Sequence, residues 1–191
     1  MNAVDRTYTP LPERGSLIGL DLSLTSTGFH KLAADGRILD SGAITADKST
    51  GMERLDLILA RISNLVREGD FVVLEDNAFR ALGRARSGLA ELSGIVKFWL
   101  WRRQIRYLLI APTMLKKFIL GVGRGDKALI VREVFKAYGL NAGTDDEADA
   151  SVLAHIGMCI IGAEEPRNRQ QREVLANLTA EKRPPRRPIC T

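Results

Sequence analysis

Residues 16–45 read SLIGLDLSLTSTGFHKLAADGRILDSGAIT, and this stretch decides the fold. Residues 16–22 alternate and are apolar, the pattern of a strand with Ile18, Leu20 and Leu22 on one face and Gly19 and Asp21 on the other. Two further short strands follow at 27–33 and 37–45, separated by the hairpin dipeptide Asp35-Gly36. Downstream the period changes. Leu55, Ile58, Ile62 and Leu65 recur at helical spacing within 50–68, and Gly69 stands where that helix should stop. FVVLE at 71–75 reads as a buried strand and 81–103 as a long helix. RYLLIA at 106–111 is a fifth strand, followed by helices at 113–120, 126–138 and 145–162. A three-strand meander followed by strands alternating with helices predicts an α/β fold, a mixed sheet covered by helices.

The folded domain is expected over 16–163. Residues 1–15 read as a disordered lead, with Pro10 and Pro12 against regular structure. From Glu164 the apolar period fades, and PPRRP at 184–188 marks 164–191 as a Pro/Arg-rich flexible tail. Of 191 residues, 45% are apolar and 27% charged, a soluble globular composition. The longest nearly uncharged run, 153–163, falls short of the ~20 residues that span a bilayer. The N-terminal sequence lacks the apolar core of a signal peptide. Two distant cysteines, Cys159 and Cys190, make neither a disulfide framework nor a zinc site. A cytoplasmic protein without a membrane partner is expected.

The net charge of +5 hides an uneven distribution. Residues 1–79 carry 8 Lys/Arg against 12 Asp/Glu, residues 80–136 carry 13 against 3, and residues 137–191 carry 7 against 8. A basic segment set between acidic ones is either a solvated helical face or a footprint for a polyanion such as nucleic acid.

Four carboxylates stand out. Asp21 sits between leucines in a core strand, where an unpaired aspartate is costly; it is either a strand-end residue bonding the Ser23–Ser26 turn or part of a site. Glu75 ends FVVLE, either as a terminus turning into solvent or at the strand C-terminus where α/β sheets build their sites. In TDDEADA at 144–150, Thr144 as N-cap and Glu147 three residues later form a capping box, and the early acids suit the helix dipole. That leaves Asp149, three residues from Asp146 on the same face, as a repelling pair that a cation would relieve. An all-oxygen set of this kind suits Mg²⁺. Two ions about 3.5–4 Å apart, one activating water and one stabilising the leaving oxygen, would carry out phosphodiester hydrolysis.

IGLDLSLTSTGF at 18–29, VVLE at 72–75 and DEADA at 146–150 resemble the RuvC-type Holliday junction resolvases of the RNase H-like superfamily. APTMLKKFILGVGRGDK at 111–127 resembles the same family, including the eleven-residue spacing of Lys116 and Lys127. The resemblance covers 16–162, with the motifs in the family's order. It implies an RNase H-like mixed five-stranded sheet of order 3-2-1-4-5 flanked by helices, and a homodimer that places two sites on a four-way DNA junction. It assigns the metal ligands to Asp21, Glu75, Asp146 and Asp149, and puts Lys116 and Lys127 near the cleaved phosphate, where ammonium groups would offset developing charge. The metal implied is Mg²⁺, two per site, with Mn²⁺ able to substitute. The family often carries an aromatic shortly after the strand glutamate to pry junction bases. Here the candidate is Phe79, four residues on, which reads equally as a buried aromatic. Backbone contacts to branched DNA are expected from the basic segment, with Arg80, Arg84, Arg86, Lys117 and Arg124 as candidates. A flap, fork or RNA nuclease of the same superfamily, or a junction-binding protein without catalysis, are the alternatives.

Other signals are weaker. GVGRGDK at 121–127 lacks the GK[ST] ending of a phosphate loop and reads as a turn. His30 and His155 have no metal-ligand spacing and read as structural. Trp99, Trp101 and Tyr107 read as core or dimer contacts.

Overall fold

A computed structural model describes residues 10–12, 15–46, 49–76 and 84–180. The chain begins with a meander of β1 (Ser16–Asp21), β2 (Ser26–Ala33) and β3 (Ile38–Thr45). Gly36 turns the second hairpin with φ at 85°. Helix α1 (Gly51–Leu65), strand β4 (Phe71–Glu75), helix α2 (Arg84–Arg102) and strand β5 (Arg106–Ile110) follow, then helices α3 (Pro112–Leu120), α4 (Lys127–Tyr138), α5 (Asp145–Ile160) and α6 (Arg169–Ala180). The five strands form one sheet in the order β3-β2-β1-β4-β5. β1 pairs antiparallel with β2 and parallel with β4, and β4 pairs parallel with β5. The expected mixed sheet and its strand order are therefore present.

Strand alternation divides the core into two layers. Ile18, Leu20, Val72 and Leu74 face α1 and α2, where Leu55, Ile58, Ile62, Leu92, Val96 and Leu100 complete one cluster. Leu17, Phe71, Val73, Leu108 and Ile110 face the opposite way, with Leu115, Phe118, Ile130, Val134, Val152 and Ile156 from α3, α4 and α5. Each large side chain hidden in these layers contributes roughly 1.5–3 kcal/mol relative to exposure. Helix α5 is buried on every side from Glu147 to Met158, because the sheet covers one flank and other helices cover the rest.

The expectation of a flexible tail from Glu164 is corrected over 169–180. Asn168 caps α6 by accepting a hydrogen bond from the Gln171 N–H at 2.9 Å. Val174 and Leu178, one turn apart, join the cluster around α5 and are almost fully buried. Gln171 also donates to the Phe118 carbonyl of α3. The predicted helix over 81–103 is described from Arg84 to Arg102. Among the described residues no helix is long and apolar enough to cross a membrane.

Candidate metal centre

β1 and β4 run parallel with Leu20 beside Leu74, which sets Asp21 and Glu75 side by side at the C-terminal ends of neighbouring strands. Both acids follow their strands' alternation onto the face that carries α5. The sequence lets this helix lie unusually low on the sheet. A Cβ at Gly19 would stand 1.9 Å from the Ala150 carbonyl oxygen, and one at Gly28 would stand 2.0 Å from that of Asp146. Only glycine admits backbone contact this close. The helix thereby delivers Asp149 to the strand ends, and oxygens of Asp21, Glu75 and Asp149 all lie within 4.8 Å of one another. All three residues are at most 7% exposed. Neither the solvated strand terminus for Glu75 nor the exposed strand end for Asp21 describes these positions.

Three carboxylates gathered out of water repel one another strongly, since burial removes the screening that exposed acids enjoy. A hard divalent cation fits this donor set, which holds only carboxylate oxygens and neither nitrogen nor sulfur. Asp146 stands one helical turn before Asp149, outside that tight group, with its side chain 17% exposed.

Lys127 opens α4 and reaches toward the same turn. Its ammonium pairs with Asp145 and lies 3.7 Å from Asp146 Oδ1. The hydrogen bond to Asp145, joined by the fields of Asp145, Asp146 and Asp149, outweighs partial burial and raises the Lys127 pKa. The same hydrogen bond holds the Asp145 carboxyl below its ordinary value against the opposing effect of burial. Sequence reasoning gave Asp145 only a helix-dipole role. Its pairing with Lys127 depends on α4 and α5 packing together, which no local pattern announces.

The other predicted residues take different places. Lys116 on α3 donates to the Gly125 carbonyl at 3.0 Å and so braces the turn that leads into Lys127. Lys117 pairs with Glu173 of α6 at 2.9 Å. Arg124 is exposed on the turn between α3 and α4. Phe79 and Arg80 lie outside the described residues; Arg84 and Arg86 fall in the first turn of α2, and their side chains lie outside as well. Half of the capping box is present, since Thr144 Oγ1 accepts from the Glu147 N–H at 3.1 Å. The returning arm differs, because the Glu147 carboxylate accepts from the Gly143 N–H instead of that of Thr144. His30 is fully buried against Ser41. His155 stacks on Tyr138 with ring centroids 3.5 Å apart and bonds Glu164.

No family model matches the chain. A crossover junction endodeoxyribonuclease RuvC of Orientia tsutsugamushi (strain Ikeda) is 30% identical over 146 residues, covering 73% of this chain and 92% of the relative. The protein of the same name from Gloeobacter violaceus is 29% identical over 150 residues, or 74% of this chain and 86% of the relative. Among solved structures, Thermus thermophilus RuvC superposes with a TM-score of 0.63 at 20% identity, over 79% of this chain and 99% of that one. The same bacterium's RuvC in complex with Holliday junction substrate gives 0.65 at 20% identity, over 79% and 98%. The yeast mitochondrial Holliday junction resolvase Ydc2 gives 0.54 at 12% identity, over 94% and 88%. These superpositions, with the strand order β3-β2-β1-β4-β5, show the RNase H-like fold.

Proposed function

Because the chain belongs to the RuvC family of crossover junction endodeoxyribonucleases, we propose that it is a metal-dependent endonuclease that resolves four-way DNA junctions. The observation that carries this reading is the convergence of Asp21, Glu75 and Asp149 from β1, β4 and α5. These residues would hold the metal, with Asp146 joining them from one turn earlier; magnesium as the ion and two ions per site complete the proposal. A hard divalent cation supplies Lewis acidity to the phosphodiester and makes water nucleophilic near neutral pH.

The chain's own residues do the rest. The buried carboxylates are prearranged, so little reorganisation remains when substrate arrives. Lys127, held beside Asp146, offers its ammonium to the charge that develops on the phosphoryl oxygens. Lys116 fixes the turn from which Lys127 projects. Arg124 and other cations of residues 80–136 that the fold does not engage would neutralise DNA phosphates, positioning the branched substrate by its shape. We place this activity in the cytoplasm.

We further propose a homodimer. Phe98 and Trp101 on α2 are 58% and 63% exposed with ring centroids 6.0 Å apart, an aromatic pair that a second copy would cover. A two-fold dimer would offer two sites to a junction of like symmetry. In the direct test of the site, Asp21→Asn retains junction binding and loses Mg²⁺-dependent cleavage. Full cleavage by that variant would remove Asp21 from the centre.

A further inference from the structure

We propose that Glu147 is a positioning residue that locks the metal-binding turn of α5 to the edge strand β3, and so keeps Asp149 in register with Asp21 and Glu75. This rests on the reading of those three acids as a metal centre. Glu147 lies between Asp146 and Asp149, yet it turns away from them into the protein and is only 9% exposed. Its Oε2 accepts from the Gly143 N–H at 2.7 Å, and its Oε1 accepts from the Ser41 hydroxyl at 2.5 Å. Ser41 stands on β3, 106 residues earlier.

The direction of the hydrogen bonds extends the network. Ser41 has one proton and gives it to the carboxylate, so its oxygen is left to accept from His30 Nδ1, 3.0 Å away. His30 on β2 thus carries a proton on Nδ1, and because burial first, then the neighbouring His155, holds its pKa down to about 4, the ring is a neutral imidazole at neutral pH. Three elements, β2, β3 and α5, are joined by donors that end on one carboxylate, the strong kind of hydrogen bond.

The packing of α5 explains why a lock is needed. At Gly28 the helix meets the sheet backbone to backbone, at the level of the Asp146 carbonyl. Such a contact brings the elements close but offers no side chain to interlock. A shift of one residue along a helix moves a side chain by about 1.5 Å along the axis and about 100° around it. Either displacement would take Asp149 out of the group. Glu147 is anchored at the middle of the turn that must not move.

The test measures Mn²⁺ affinity by titration calorimetry on the full chain without DNA, at a temperature where circular dichroism shows every variant folded. Glu147→Gln and Ser41→Ala should each weaken binding by about tenfold or more, in the range seen when groups supporting metal ligands are removed. Ser41→Thr, which keeps the hydroxyl, should bind like the parent. The double variant should lose little beyond either single one, because both break the same connection. Should Glu147→Gln fail to fold, Ser41→Ala and its threonine rescue decide the matter alone. Parental affinity in Ser41→Ala and Glu147→Gln would overturn this role while leaving the metal centre intact. No Mn²⁺ binding by the parent would overturn the centre and the role together.

Discussion

Asp21 shows how far a single residue can be read. An aspartate between Leu20 and Leu22 in an apolar strand is either an edge residue or a site residue, and its 7% exposure beside Glu75 and Asp149 supports the second reading. In the buried group, Asp21 and Asp149 were legible because each departs from a local rule of propensity or helix patterning, and Glu75 because it stands at a strand C-terminus. Asp145 and Glu147 obey the local rules of a helix N-terminus, so their long-range partners Lys127 and Ser41 left no trace in the sequence pattern. Two predictions belong at this scale. Lys127→Ala should slow junction cleavage by roughly hundredfold, as removal of a charge-stabilising donor does, with affinity in a gel-shift assay almost unchanged. The reverse split would make Lys127 a simple phosphate contact. His30 contributes to the loss of stability in acid. Its pKa falls from 6.5 in the unfolded chain to about 4 in the fold. Between those values the unfolded state takes up the proton first, so stability present above pH 6.5 is lost as the pH falls toward 4. The loss is on the order of 3 kcal/mol. Urea denaturation at pH 7 and pH 4.5 should show it, and His30→Gln should flatten that part of the profile.

Among the elements, α5 decides the site and α6 was the one missed. The strands and helices up to 162 announce themselves by period, and the structure moves their ends by only a few residues. Helix α6 escaped because RQQREVLANLTA is mostly polar and its apolar contribution to the core is limited to Val174, Leu175 and Leu178. The Asn168 cap with that short stripe was the available signal. The glycines under α5 were visible as residues, with Gly19 and Asp21 on one strand face, but the helix resting on them was not. A methyl group placed at Gly28 must push the backbone of Asp146 away. Gly28→Ala should therefore cost at least about 1–3 kcal/mol in urea denaturation and weaken Mn²⁺ binding. Gly94→Ala on α2 is the control: nothing stands within 4 Å of its Cβ, so it should hold or gain up to about 1 kcal/mol through helix propensity.

For the whole molecule, the net charge of +5 combines two opposed tendencies. Of the 13 basic residues of 80–136, those in the described residues are spread over α2, β5, α3, α4 and the turns between them, and one, Lys127, meets the acids of α5 directly. Not every cation in this segment is available to DNA, since Lys117 is engaged by Glu173 and Lys116 by the Gly125 carbonyl. Sequence alone could count the charges but not subtract those the fold uses. The central claim is that the buried acids cut branched DNA at a four-way junction. Its most direct measurement is Mg²⁺-dependent cleavage by the full chain, compared across four-way junctions, flaps, forks, linear duplex and RNA–DNA hybrid. The account predicts paired, symmetric nicks in the four-way junction and little cutting elsewhere. Preferential cleavage of flaps or hybrid, or no cleavage of any of them with Mg²⁺, would contradict it.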